Sequence, residues 1–152
     1  MSCWEVLEEI GAWTSSAYRQ GRLLSGIIFL TDINRGADGL EMEEVEMLQE
    51  LCGPSALQNV LLTTTQWSEL EDYRAQQESY EKDLRDTNYL RELVTKGAAV
   101  ERFLATRESG FELIHKLMNK EPKPLLIQHQ MVEKNMTLAE TDVGSSTAEL
   151  YH

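Results

Sequence analysis

The segment Leu23-Leu24-Ser25-Gly26-Ile27-Ile28-Phe29-Leu30 carries no charge and is apolar at nearly every position. A half-buried strand alternates apolar with polar residues. A run that does not alternate fits a strand covered on both faces, the usual state of strands in a parallel sheet. A second run, Asn59-Val60-Leu61-Leu62-Thr63-Thr64-Thr65, is short and rich in β-branched residues, which favours strand over helix. Ala98 to Leu104 is a weaker third candidate. Parallel strands need crossovers, and the intervening sequence supplies helices.

Residues 3–20 carry Cys3, Val6, Ile10, Trp13 and Ala17 at three- or four-residue spacing, an apolar stripe ending before Gly21. Leu40, Val45, Leu48 and Leu51 repeat that spacing over residues 40–52, and Gly53-Pro54 stops the pattern. A sparse, solvated helix with a break is expected over 69–95, with Ser68 as its cap. Helices are also expected over 108–118, with Phe111, Ile114, His115 and Met118 on one side, and over 125–138. The order α-β-α-β-α-β-α-α predicts an α/β fold: a three-layer half-domain with a short parallel sheet of about three strands, helices on both faces and a C-terminal helix. Residues 1–142 form the expected domain, and 143–152 read as a small, polar, flexible tail.

Charge excludes several classes of partner. The chain has 152 residues and a net charge of −12, and residues 41–95 hold 13 acids against 4 bases. A phosphate-backbone binder needs a basic face, so nucleic acid is excluded, and an anionic membrane surface is disfavoured in the same way. No apolar run approaches the length of a membrane span. Acidic Glu5, Glu8 and Glu9 replace the basic start of a secretory signal, and Cys3 and Cys52 have no metal-type spacing, so a reducing cytoplasmic setting is expected.

In open parallel sheets, ligands bind beyond the carboxyl ends of the strands. Three polar loops are expected there: Thr31 to Arg35, Thr63 to Ser68, and Ala105 to Gly110. Asp32 is the one carboxylate in a site-like place, though an Asx-turn explains it more simply. His115 and His129 have no nucleophile partner in view, and Cys52 reads as a packed small hydrophobe.

These loops, in this order, carry a resemblance. Leu24 to Ile33, then Leu51-Cys52-Gly53 to Thr63-Thr64-Thr65-Gln66-Trp67, then Gly97 to Thr106-Arg107-Glu108-Ser109-Gly110 resemble the C-terminal half of a P-loop GTPase domain. More specifically, they are similar to the septin-like, immunity-associated GTPases and the related fungal G-domain proteins. The helix Leu125 to Val132 resembles the one that follows the domain in the fungal proteins. The resemblance implies a guanine-base site at Thr64, Thr65, Trp67 and Ser68, supported by Arg107, Glu108 and Ser109. Trp67 would stack on the base or anchor its own loop. Ser68 stands where the family has an aspartate. A carboxylate accepts two N–H donors from guanine in a fork that a hydroxyl does not provide, so weak purine binding is the most that is implied.

The phosphate-binding pattern Gly-x-x-x-x-Gly-Lys-Ser/Thr does not occur, and Gly36-Ala37-Asp38-Gly39 lacks the lysine. The Mg²⁺-holding elements have no counterpart either. GTP or GDP with Mg²⁺ would therefore need a missing N-terminal half. The chain as it stands is expected to be catalytically incompetent: a G-domain fragment or a pseudo-GTPase interaction module. In a full domain another strand would lie beside Gly26 to Leu30. That edge is the expected place for a partner chain or a second copy, and marginal stability is expected for an isolated monomer.

Overall fold

The computed structural model describes the backbone of residues 2–151 and the side chains of 2–149. The elements are α1 (Cys3–Arg19), β1 (Ile27–Asp32), α2 (Met42–Ala56), β2 (Val60–Thr65), α3 (Glu71–Arg85), α4 (Asn88–Thr95), β3 (Ala99–Arg102), α5 (Arg107–Met118), α6 (Leu126–Gln128) and α7 (Asp142–Tyr151). A 3₁₀ segment, Ile33–Gly39, follows β1, and one π turn, His129–Glu133, extends α6. The sheet order is β1-β2-β3, all parallel, with Ile27 opposite Val60 and Leu61 opposite Ala99. The fold is α/β with a small three-stranded parallel sheet, as the sequence predicts.

Alternation along β2 divides the core in two. Val60 and Leu62 enter the main core with Leu7, Leu48, Leu57, Leu93 and Ile127. Leu61 points the other way, into a small cluster with Leu113 and Leu117 of α5. One sheet face thus carries most of the helices, and α5 alone supplies the cluster on the other. β2 is central and buried on both faces, as its continuous apolar run requires. β1 is an edge strand. Ile27 and Phe29 pack against the main core, while Ile28 and Leu30 are exposed on the α5 side.

Several boundaries move for local reasons. β1 starts at Ile27 rather than Leu23, and at Gly26, just before it, the chain passes against the Asn59 carbonyl and Leu117 with no room for a Cβ. α2 continues past Gly53-Pro54 through a kink, with Gly53 in the left-handed region at φ 76°. The break expected within 69–95 falls between α3 and α4. Ser68 does not cap α3; its hydroxyl accepts from the Leu70 N–H ahead of that helix. The last helix is shorter than 125–138, since Asn135 turns left-handed at φ 53°.

Two helices bury a different face from the expected one. On α1 the buried residues are Leu7, Gly11, Thr14 and Ser15, while Val6 and Trp13 are exposed. Gly11 lets α6 and its π turn approach to within contact of the backbone, facing Met131 and Ile127. On α5 the sheet takes Leu113 and Leu117, leaving Phe111, Ile114 and Met118 exposed. The segment from Thr141, expected as a polar tail, is helix α7, with Val143 and Thr147 buried against the rest of the fold.

Both cysteines are free, and burial pushes the Cys52 thiol up to about 12, in keeping with a packing role. Among the described residues there is no helix long and apolar enough to cross a membrane and no metal-type cluster of three or more His, Cys, Asp or Glu.

Candidate functional site

The loops after the three strands meet at one rim, and a single glutamine ties the first two together. Gln77 of α3 is buried. Its Nε2 donates to Asn34 Oδ1 at 3.0 Å and to the Gln66 carbonyl at 2.9 Å, and its Oε1 accepts from the Ser68 N–H at 2.8 Å. Gln66 sits at φ 66°, a conformation that costs a non-glycine residue energy, and the bond to its carbonyl helps to hold it. Asp32 Oδ1 accepts from the Asn34 N–H at 2.9 Å, the Asx-turn expected for that loop.

Trp67 joins the second loop to the third strand. Its indole N–H donates to Thr64 Oγ1 at 2.9 Å. The Arg102 guanidinium lies 4.2 Å from the ring centroid, and Arg74 lies 6.0 Å away. Arg102 is in turn forked onto Glu81, Nε to Oε2 at 2.8 Å and Nη2 to Oε1 at 2.6 Å. That fork holds the Glu81 carboxyl below the usual carboxylate range and raises the guanidinium in return. Trp67 therefore anchors its loop, with a cation already on its ring.

The other residues expected at a base site are mostly committed inside the fold. Thr64 Oγ1 donates to the Glu101 carbonyl and Thr65 Oγ1 to the Thr31 carbonyl. Ser109 is buried; its Oγ accepts from the Leu104 N–H, and its own N–H donates to Thr106 Oγ1, the cap of α5. Ser68 carries the two contacts already given. Arg107 and Glu108 alone project into solvent, with Arg107 across the Phe111 ring at 5.4 Å. The rim gathers the expected residues, but as an internally bonded network. Its organisers, Gln77, Glu81 and Arg102, were not legible as a set. They come from two elements, and on α3 the first two sit among solvated polar residues.

The second feature lies at the β1 edge. Ile28 and Leu30 share the sheet face of Leu61, and Leu30 is 60% exposed. Lys116 of α5 reaches Glu101 of β3 at 2.6 Å, so that flank of α5 faces β3. Phe111, Ile114 and Met118 lie on the other side of α5 from Lys116 and are exposed. Met118 is 68% exposed, and an open depression of about 590 Å³ lies over α5 itself, lined by Phe111, Glu112, Ile114, His115, Lys116 and Met118. The α5 stripe and the residues Ile28 and Leu30 of β1 are thus two exposed apolar features on the same side of the sheet. No protein-family model, curated protein or solved structure matches the chain.

Proposed function

We propose that the chain is a non-enzymatic association module that docks another polypeptide against the free edge of β1 and the apolar surface beside it. The observation that carries this reading is β1 itself. Among the described residues it has one partner strand, and Ile28 and Leu30 stand exposed on the side of the sheet that carries α5. Nothing in Ile27–Leu30 guards that edge: it has no proline and no charge. Strand addition would satisfy its free backbone groups, and an apolar cover would remove Ile28 and Leu30 from water. The strand order β1-β2-β3 also supports the reading of the chain as the later half of a G domain, in which this edge lies inside a larger sheet.

Site-specific photocross-linking in the protein's native cells tests the docking. A photoreactive phenylalanine in place of Leu30 is expected to form a defined covalent adduct with one polypeptide. The same group in place of the exposed Met42 of α2 is expected to form none. Equal labelling at both positions, or none at position 30, overturns the proposal.

A second reading, weak purine binding at the rim, is favoured by the meeting of the three loops beyond the strand ends, with Arg107 and Glu108 exposed beside them. Titration with a fluorescent GTP analogue and Mg²⁺ is expected to give at most weak binding, indifferent to the γ-phosphate. Tight binding that needs the γ-phosphate would contradict both this reading and the assignment of a non-enzymatic role.

A further inference from the structure

We propose that the occupant of the β1 edge is a second copy of this chain, with the two β1 strands antiparallel about a two-fold axis normal to the sheet. The inference rests on the docking reading above and names its partner. Such an interface is isologous: the same strand serves both sides, and the contact closes at two copies. It would extend two three-stranded sheets into one of six strands.

Symmetry decides which side chains meet. A two-fold axis normal to the sheet keeps each face on its own side. Ile28 and Leu30 of both copies therefore share the α5 side. A register centred on Phe29 sets Ile28 of one copy opposite Leu30 of the other, two apolar cross-strand pairs. Both copies of α5, with Ile114 and Met118 exposed, lie on that same side of the joined sheet.

Charge supports a self-partner. The stretch Leu23–Thr31 has no ionisable side chain. Asp32, the one charge on β1, falls opposite Gly26 in this register, so no like charges meet along the edge. Three quarters of the net negative charge lies in residues 41–95, which span α2, α3 and α4. Leu48 of α2, Leu84 of α3 and Leu93 of α4 all pack into the main core, on the sheet face away from α5. Copies meeting along β1 pair a stretch that carries no charge from Leu23 to Thr31. An acidic or basic partner has no complementary charge to read there.

Light scattering on the purified chain, over a range of micromolar concentrations, tests the proposal. The expected mass is twice the 17.4 kDa of one chain, falling toward one chain on dilution. Leu30→Lys is expected to weaken association by about thirtyfold or more, the loss of a central apolar anchor. It should leave the circular dichroism unchanged, since Leu30 is exposed in the single chain. Met42→Lys, on α2, is expected to dimerise as wild type. A dimer indifferent to Leu30→Lys, or a wild type monomeric throughout, overturns the self-partner. In the monomeric case, an adduct of position 30 with a different polypeptide would leave the docking reading standing, and no adduct would remove both.

Discussion

Gln128→Leu is expected to destabilise the fold by about 2–4 kcal/mol, although it exchanges a polar side chain for an apolar one of similar size. Gln128 is fully buried. Its Nε2 donates to the Thr14 carbonyl of α1 at 2.9 Å, and its Oε1 accepts from the Leu125 N–H at 2.8 Å. Leucine fills the volume but leaves the Leu125 N–H without its partner in a dry site and cuts the polar link between α6 and α1. The unsatisfied Leu125 N–H costs about 1–3 kcal/mol and the lost bond to the Thr14 carbonyl about 1 kcal/mol more, together above what the added apolar burial returns. For a domain of this size the melting temperature should fall by roughly 5–15 °C, at one fixed protein concentration. Gln20→Leu is the control. Gln20 is exposed and reaches only Ser16 at 3.3 Å, so its loss should change stability by less than about 0.5 kcal/mol. Equal effects from the two variants would mean that Gln128 does not join the helices.

The pair Gln128 and Thr14 also marks how far the sequence can be read. Period and run length identified the three strands and the helices between them, though not α7, because burying β2 on two faces requires the unbroken Val60-Leu61-Leu62. They did not identify which side of a helix is buried. On α1 the expected stripe is split: Val6 and Trp13 face water, Ile10 packs against the main core, and the side holding Gly11, Thr14 and Ser15 is covered. Small residues win there because they let another backbone come close, where Ser15 meets Met131 and Thr14 meets Gln128. On α5 the sheet takes Leu113 and Leu117, and the stripe through Phe111, Ile114 and Met118 stays exposed because nothing in the described residues covers that side of the helix. A stripe announces something to bury, and its partner need not be in the same chain.

The rim shows a related limit. Thr64, Thr65 and Trp67 were placed correctly at a strand end, since strand termini follow from the apolar run. Their commitments were invisible, because each depends on residues distant in sequence. Thr64 bonds across to β3, and the Trp67 ring is covered by Arg102, itself set by Glu81. Local chemistry nominates a residue for a site. The long-range partners decide whether its polar atoms remain free to act there.

Gly144→Ala sets the expectation of a polar tail directly against the docked helix. Were residues 143–152 a loose tail, alanine would be neutral or favourable, because it is a better helix former than glycine by about 1 kcal/mol. In the structure Gly144 faces the Leu138 carbonyl so closely that a Cβ has no space, and its N–H donates to the buried Thr141 hydroxyl at 3.0 Å. The obstructing atoms are backbone, so they do not swing aside as a side chain tip would. Alanine must lift the first turn of α7, drawing Val143 out of the main core and straining the pair of bonds between Gln130 and Asp142. Overpacking of this kind costs about 2–3 kcal/mol, enough to outweigh the propensity gain and reverse the sign of the change. Urea unfolding should show the loss. Hydrogen exchange should show it concentrated in α7, with β2 losing protection only through the fall in global stability. Ser145→Ala, one residue on and exposed, gains helix propensity without the clash and should be neutral or slightly stabilising. If both alanines stabilise alike, α7 does not dock where Val143 and Thr147 are buried; opposite signs require the close approach at Gly144.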